Sequence, residues 1–291
     1  MIIVKLKGGL GNQLFEYATA RRAAYSNNTA LKVDLANYSP LTERRYSLPF
    51  FNVKVEIASK DEIEFLKPPS RKSFYGVMRW LIKFFKPYYA LRHVTERPAS
   101  FDSNILKVRN DTYLEGYWQS ENYFIDIRPL ILKELSLKNP LSARAGAWAK
   151  EITAINSISI HIRRCDFITN KHISEEYETC GTEYYLSAMR YMTSKVENPK
   201  FFVFSDDIHW AKENIFTDNP ISYVSDGTLE DYEELALMSL CRYNISSNSS
   251  FGWWGAWLNN HSNKIVIAPQ KWFRNPARDD KHIVPESWLK M

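Results

Sequence analysis

The chain of 291 residues contains little cysteine and no long apolar run, and both deficits exclude classes of protein. Its three cysteines, Cys165, Cys180 and Cys241, are an odd number without Cys-x-x-Cys or Cys/His spacing, which indicates neither a disulfide framework nor a zinc site. No stretch reaches the roughly 20 apolar residues that a membrane-spanning helix requires. The N-terminus leads directly into a strand and a glycine-rich loop, without the regions that compose a signal peptide. We therefore expect a cytoplasmic protein with free thiols.

Acidic residues are missing from residues 65–95. This segment carries more positive charge than the net excess of the whole chain, which is +5, through Lys67, Arg71, Lys72, Arg79, Lys83, Lys86 and Arg92. With its aromatic residues it fits a packed helix with solvated lysines or a surface helix that lies on anionic lipid. The second interpretation predicts peripheral contact with the inner face of the cytoplasmic membrane. The rest of the chain is slightly acidic, so no nucleic-acid partner is expected.

Alternating strands and helices predict an α/β fold with two domains. A length of 291 residues with 45% hydrophobic residues is enough for two cores. The N-terminus predicts a βαβ unit, and residues 157–268 alternate strands with helices of about ten residues, which is typical of a parallel, doubly wound sheet. A change of composition at residues 139–149 places the boundary between an N-terminal domain, 1–145, and a C-terminal domain, 146–291. Residues 40–95 are irregular in pattern.

Polar clusters follow four of the predicted strands, and ligands of open parallel sheets bind outside the carboxyl ends of the strands. The clusters are "GGLGNQ" from Gly8, "HIRRCD" from His161, "SDD" from Ser205 and "SNSSF" from Ser247. Adjacent arginines on an extended chain point to opposite faces, so one of Arg163 and Arg164 is expected to reach the ligand and to hold a phosphate through two parallel N–H bonds. The clusters together predict a site for a nucleotide diphosphate.

Simpler interpretations exist for several of these residues. Ser249 fits an ordinary helix N-cap, and Asp206 and Asp207 fit caps of the following helix. The glycine loop with Asp34 after the next strand suggests a dinucleotide fingerprint, but Leu14 stands where that fingerprint needs glycine or alanine. No Asp-x-Asp sequence occurs that would hold a divalent cation on a diphosphate. We therefore expect no metal, with arginine in its place.

The sequences "GGLGNQLFEYA", "HIRRCDF", "FSDD" and "SSFGWWGAWL" closely resemble, in this order, the motifs of glycosyltransferase family 11, the α-1,2-fucosyltransferases, in their bacterial form. The resemblance extends from Gly8 to Leu258. It implies a GT-B fold, in which two Rossmann-like domains face each other across a cleft. It further implies inverting, metal-independent transfer of L-fucose from GDP-β-L-fucose to the 2-hydroxyl of a terminal galactoside, in the assembly of a bacterial surface glycan such as O-antigen. No cofactor is implied besides the donor substrate.

The same resemblance implies roles for particular residues. Arg163 would contact the β-phosphate with His161 beside it, and Asp206 would lie near the guanosine. The segment around the diphosphate would be Ser249, Ser250 and Phe251, and the acceptor side of the cleft would be lined by Gly9, Gly11, Asn12 and Gln13. Asp166 is either the catalytic base or the anchor of an arginine. Cys165 replaces the glycine usual before that aspartate, and a side chain there changes the turn that positions Asp166.

Two further functions remain open from the sequence. The first is transfer of another GDP-sugar or formation of another linkage, and the second is a non-catalytic protein that binds a nucleotide or glycan. The expected acceptor is a β-galactoside glycan, which is lipid-linked if the membrane interpretation holds. We expect residues 40–118 to select it.

Overall fold

The structure, a computed structural model, describes residues 1–39, 44–67, 87–97 and 101–291, without the side chains of Asp166, Thr169, His172 and Ile173. It divides into two compact units, Met1–Ser136 and Leu137–Met291. The sequence placed this boundary after residue 145. In the structure the helix Ala143–Ala154 begins before residue 145 and packs against another helix of the C-terminal unit. The whole helix therefore belongs to the C-terminal unit.

The N-terminal unit contains a five-stranded parallel sheet with strand order β3-β2-β1-β5-β4. Its strands are β1 (Ile2–Lys5), β2 (Leu31–Asp34), β3 (Glu56–Ile57), β4 (His93–Thr95) and β5 (Thr112–Glu115). Its α-helices among the described residues are α1 (Leu10–Ser26), α2 (Lys60–Leu66) and α3 (Arg128–Glu134). The N-terminal βαβ unit is thus confirmed.

The C-terminal unit contains a six-stranded parallel sheet with strand order β11-β10-β9-β6-β7-β8. Its strands are β6 (Ser157–Ile162), β7 (Lys200–Ser205), β8 (Ile221–Tyr223), β9 (Tyr243–Ile245), β10 (Val266–Ala268) and β11 (Leu289–Lys290). Its helices are α4 (Ala143–Ala154), α5 (Cys165–Thr169), α6 (Lys171–Glu176), α7 (Thr182–Lys195), α8 (Ile208–Asn214), α9 (Asp231–Leu240) and α10 (Ser250–Leu258).

Burial on both faces encloses the polar residues of β6, Ser157, Ser159 and His161, as fully as its isoleucines. All six residues of β6 are buried, as expected for a parallel strand that is covered by helices on both faces. The core beside it combines aliphatic strand residues such as Ile160 with aromatic and methionine residues of α7 such as Tyr185. The predicted α/β class with two Rossmann-like domains is therefore confirmed.

Some predictions of elements were wrong. The predicted helix "FIDIRPLILKELSL" forms an α-helix only from Arg128, because Pro129 lacks an N–H group and is accommodated in the first turn. The irregular stretch of residues 40–95 contains β3, α2 and β4. Most of the basic aromatic segment, residues 68–86, lies outside the described residues. The described helices include none that is long and apolar enough to cross a membrane.

Candidate functional site

The carboxyl end of β6 carries Arg163 in a fixed position. Its guanidinium Nη1 lies 3.2 Å from Oδ2 of Asp206, which follows the neighbouring strand β7. The side chain of Arg163 keeps 22% of its surface exposed, so it is held but not enclosed. Such an arginine can bind an anion without first being ordered.

The carboxylate of Asp206 also holds the backbone after β6. It accepts hydrogen bonds from the N–H of Arg164 at 2.8 Å and from the N–H of Cys165 at 3.1 Å. The Cys165 thiol donates to the Asp206 carbonyl oxygen at 3.0 Å. In this structure Asp206 therefore positions the β6–α5 turn and Arg163, and a contact with guanosine stays a prediction.

Arg164 has different partners from Arg163. Its guanidinium lies 3.8 Å from the centre of the Trp210 ring, and its Nε is 3.6 Å from Oδ2 of Asp207. Asp207 also caps α8 by accepting the backbone N–H of Trp210 at 3.1 Å. Arg164 is thus tied to α8, and the carboxylate that the structure places beside it is Asp207. Asp166 is the second residue of α5, which begins at Cys165. Its side chain is not among those that the structure describes.

His161 is buried directly behind Arg163. Its Nδ1 is 2.9 Å from the hydroxyl of Ser247, and its ring lies 5.6 Å from the ring of Phe251. Burial, helped by the positive charge of Arg163, lowers the pKa of His161 to about 3. A neutral imidazole at this place adds packing and a hydrogen bond but no charge.

The start of α10 brings the serine segment to the same edge of the sheet, because β9 lies beside β6. The hydroxyl of Ser249 accepts the N–H of Phe251 at 3.3 Å, which makes Ser249 the N-cap that one interpretation predicted. Ser249, Ser250 and Phe251 are all partly exposed. Gly252 allows the close approach of α10 to β6, because a Cβ atom there would lie 2.5 Å from Nδ1 of His161.

Glu234 is a residue of this edge that sequence reasoning missed. It lies on α9 and interacts with Ser225, whose hydroxyl accepts the N–H of Ser205 at 3.0 Å. Burial raises the pKa of Glu234 to about 7, and the nearby carboxylates of Asp231 and Asp226 add to the increase. In the sequence the residue lies within an acidic run that is typical of a solvated helix face, so only its tertiary surroundings reveal it.

The glycine loop of the N-terminal unit differs in part from the prediction. Gly8 has a φ of +79°, which favours glycine, and Gly9 and Asn12 are partly exposed. Gly11 is buried, and Gln13 has no exposed surface. The amide of Gln13 donates to the carbonyl of Arg45 at 2.8 Å and accepts the N–H of Ser47 at 2.9 Å, so Gln13 holds two loops together instead of lining a surface.

The dinucleotide interpretation finds no support in the surroundings of Asp34. Its carboxylate accepts the hydroxyl of Tyr113 at 2.6 Å and the N–H of Ala36 at 2.9 Å, and the residue is 3% exposed. A ribose-binding carboxylate at this place would have to be open to a ligand.

The acidic residues after α5 hold a loop near the C-terminus. Glu176 accepts from the side-chain amide of Asn275 at 3.0 Å and lies 3.7 Å from the guanidinium of Arg278, and Glu178 pairs with Arg274 at 3.6 Å. Glu175 is exposed. Among the residues whose side chains are described, no group of three His, Cys, Asp or Glu residues is arranged to hold a metal ion.

Comparison with known proteins identifies relatives along the whole chain. The model of the family "Glycosyl transferase family 11" matches residues 1–291. An alpha-1,2-colitosyltransferase of Escherichia coli is 31% identical over 297 residues, which cover 100% of this chain and 99% of that protein. The O-antigen biosynthesis glycosyltransferase WbnK of Escherichia coli is 32% identical over 312 residues, which cover 98% and 99%.

Solved structures with the same fold include two fucosyltransferases. The NodZ alpha-1,6-fucosyltransferase of Bradyrhizobium, soaked with GDP-fucose, superposes with a TM-score of 0.51 at 17% identity over 88% of this chain and 92% of that one. Arabidopsis thaliana FUT1 in complex with GDP superposes with a TM-score of 0.52 at 12% identity over 98% and 71%. At this identity the likeness concerns the fold, which is of the GT-B type.

Proposed function

The chain belongs to glycosyl transferase family 11, and from this premise we propose that it transfers L-fucose from GDP-β-L-fucose to the 2-hydroxyl of a terminal galactoside, with inversion and without a metal ion. Such an enzyme is a galactoside 2-alpha-L-fucosyltransferase. The name of one relative, an O-antigen biosynthesis glycosyltransferase, supports a place in O-antigen synthesis, and that of another, an alpha-1,2-colitosyltransferase, supports the alpha-1,2 linkage.

Arg163 is the observation that carries this proposal. In a single in-line displacement the acceptor oxygen forms a bond to the anomeric carbon while the bond to the β-phosphate oxygen breaks, and negative charge grows on the leaving GDP. A guanidinium that Asp206 already holds, with its side chain 22% exposed, interacts more strongly as that charge develops. At the start of α10, where Ser249 already accepts the N–H of Phe251, the N–H of Ser250 can bind another oxygen of the same diphosphate.

The proton of the acceptor hydroxyl needs a base, for which we propose Asp166. A carboxylate is a weak base, so it would act late, after most of the bond to GDP is broken. Asp166→Asn tests the assignment. A kcat within threefold of the wild type would remove Asp166 from the mechanism and leave it the role of an arginine anchor.

A second donor is favoured by one of the comparisons. The Escherichia coli relative that is 31% identical over the full length is named a colitosyltransferase. Colitose is L-fucose without its 3-hydroxyl, so the same diphosphate site would serve both donors. The ratio of kcat/KM for GDP-fucose and GDP-colitose, measured with one galactoside, decides between them, and a ratio below one would assign the colitosyl donor.

The first experiment is release of GDP from GDP-fucose in the presence of EDTA, with a set of β-galactoside disaccharides as acceptors. We expect turnover that EDTA leaves unchanged and a product whose new linkage is α-1,2. Binding of GDP without turnover of either donor would contradict the proposal and favour a non-catalytic binding protein. Turnover that EDTA abolishes would contradict its metal independence.

We also propose that residues 65–95 contact the membrane surface, so that lipid-linked acceptors are reached. Of this segment the structure places Lys67 above the ring of Tyr113, at 4.4 Å, and Arg92 above the ring of Phe65, also at 4.4 Å. Phe65 itself is 51% exposed. Co-sedimentation with vesicles that contain anionic lipid, at low salt, should retain the protein, and negligible retention would contradict the contact.

A further inference from the structure

A second polar surface lies at the carboxyl edge of the N-terminal sheet, where β1 and β5 are neighbours. The chain runs from β1 to β2 and β3 on one side of the sheet and then returns to form β4 and β5 on the other side. The direction of strand order therefore reverses between β1 and β5. In open parallel sheets this reversal opens a crevice at the carboxyl ends, and ligands bind there.

The loop after β5 is built to a fixed shape at this point. Glu96, which follows β4, accepts the backbone N–H of Tyr117 at 2.7 Å and that of Trp118 at 2.8 Å, one with each carboxylate oxygen. Gly116 allows the close approach, because a Cβ atom there would lie 2.3 Å from Cβ of Glu96. A charged acceptor for two consecutive N–H groups holds this loop more firmly than neutral bonds would.

The backbone of this loop is strained. Trp118 has a φ of +55°, whereas the other described residues with positive φ, glycine apart, are Asn28, Asp111 and Asn198, residue types that tolerate this region. Trp118 is 1% exposed, and its indole N–H has no hydrogen-bond partner among the described residues. Strain of this kind, which costs on the order of 1–3 kcal/mol, persists where surrounding contacts enforce it and is concentrated at functional sites.

The strained turn directs its two neighbours toward the glycine loop. Nζ of Lys7 lies 4.0 Å from the centre of the Tyr117 ring, and the amide of Gln119 donates to the side-chain oxygen of Asn12 at 2.9 Å. Tyr117, Gln119 and Asn12 are each partly exposed. The surface thus combines an aromatic ring with amide groups and the Lys7 cation that lies over the ring.

We propose that Tyr117, Gln119 and Asn12 form the binding surface for the galactosyl residue of the acceptor, an inference that rests on the proposed function. An aromatic ring binds the C–H face of a neutral sugar, and side-chain amides bind its hydroxyls. Glu96 and Trp118 act as positioning residues. Glu96 fixes the loop through its bonds to the backbone, and Trp118 is buried. The surface therefore selects the acceptor and leaves the donor to the other unit.

The test separates acceptor from donor. For Tyr117→Ala we expect the KM for lactose, a simple β-galactoside, to rise about tenfold or more, while the KM for the GDP-sugar stays within twofold. Tyr117→Phe keeps the ring and should restore the KM for lactose. Gln119→Ala removes one polar contact and should raise the KM for lactose about fivefold. Tyr25→Ala is the matched control, because Tyr25 is 59% exposed at the other end of α1.

Binding of lactose in the presence of GDP, followed by saturation-transfer NMR, supplies a readout without turnover. We expect signals with the wild type and Tyr117→Phe, and none with Tyr117→Ala at unchanged thermal stability. If the wild type transfers the sugar and Tyr117→Ala keeps the wild-type KM for lactose and the wild-type NMR signals, this inference is overturned and the proposed function stays intact. Lactose binding that depends on Tyr117 without any transfer would support the surface and overturn the proposed function.

Discussion

The carboxyl edges of the two sheets differ in the groups that they leave exposed. In the C-terminal unit the exposed group is a guanidinium, that of Arg163, and the partly exposed start of α10 lies at the same edge of the sheet. In the N-terminal unit the comparable position carries the Tyr117 ring and the amides of Gln119 and Asn12. Both edges also hold a carboxylate, Asp206 or Glu96, that accepts two backbone N–H groups of a loop at its own edge.

Under the proposed function, this difference explains how one architecture could bind two kinds of ligand. A carboxylate that accepts backbone N–H groups gives each loop its shape, but in the C-terminal unit it also orients a cation, whereas in the N-terminal unit it orients a strained aromatic segment. The first arrangement suits a diphosphate, whose charge needs a counter-charge. The second suits a neutral sugar, because the ring and the amide groups can bind it without a counter-charge and Lys7 already lies over the ring.

The largest effect should come from removing the exposed charge. We expect Arg163→Ala to lower kcat about a hundredfold or more, by analogy with loss of a single oxyanion donor. Arg163→Lys should recover only part of the rate, since lysine cannot form two parallel N–H bonds. Arg190→Ala, which removes an exposed arginine paired with Glu183, is the control. A kcat for Arg163→Ala within threefold of the wild type would contradict the assigned role.

A matched pair of glycine substitutions tests whether the two edges act separately. An added Cβ would lie 2.5 Å from His161 in Gly252→Ala and 2.3 Å from Glu96 in Gly116→Ala, and each overlap should cost about 1–3 kcal/mol of unfolding free energy. The first should raise the KM for donor and the second the KM for acceptor.

The control for this pair is Gly146→Ala on α4, where an added Cβ has nothing within 4 Å. It should raise the unfolding free energy by about 0.5–1 kcal/mol, because alanine favours a helix over glycine. Urea denaturation and initial rates measure both properties. If both edge substitutions changed the KM for the same substrate, the separation of donor and acceptor edges would be wrong.

Asp206→Asn weakens the hold on Arg163 but keeps the size of the side chain. We expect kcat to fall about tenfold, because a neutral amide cannot orient the guanidinium as a carboxylate does. Added EDTA should not alter the ratio of the kcat of Asp206→Asn to that of the wild type. Asp218→Asn, at an exposed position, is the control. An altered preference among GDP, ADP and UDP in Asp206→Asn, with unchanged kcat, would instead support the contact with guanosine.

The smallest effect should appear as a dependence of stability on pH at Glu234. Its pKa in the folded protein is about 7, against an ordinary value of 4.5, so folding favours its protonated form. The stability that this group contributes is present below pH 4.5 and is lost as the pH rises through 7. Glu234→Gln should therefore raise Tm relative to the wild type at pH 8, by roughly 2–4 °C, and much less at pH 5.

Glu286→Gln, at an exposed position, is the control for this measurement. An equal difference in Tm at pH 5 and pH 8 would show that Glu234 does not titrate between these values. If Glu234 does titrate in this range, its protonated carboxyl group adds a neutral hydrogen-bond donor to an edge that otherwise presents charge.

Periodicity in the sequence was enough to predict β1, α1 and β2 and the alternating elements from β6 to β10, apart from the short helices α5 and α6, which were missed. The strand "SISIHI" alternates polar residues with isoleucines at a period of two, so its pattern identifies it although both of its faces are buried. The short strands β3 and β4 were missed because they lie in residues 40–95, where no regular alternation with helices marks them, and they pair only with β2 and β5. The length of α3 was overestimated because the residues before Pro129 share its apolar pattern.

The sequence by itself determined the family, the parallel α/β sheets and the strand ends at which polar residues collect, because these depend on local order along the chain. Only the tertiary structure decided how individual side chains are used. It directs Asp206 to the backbone after β6, encloses Gln13, and raises the pKa of Glu234. It also strains Trp118 beside the glycine loop. Each of these depends on contacts between residues distant in sequence, and burial and charge at a point in space are fixed only when those contacts form.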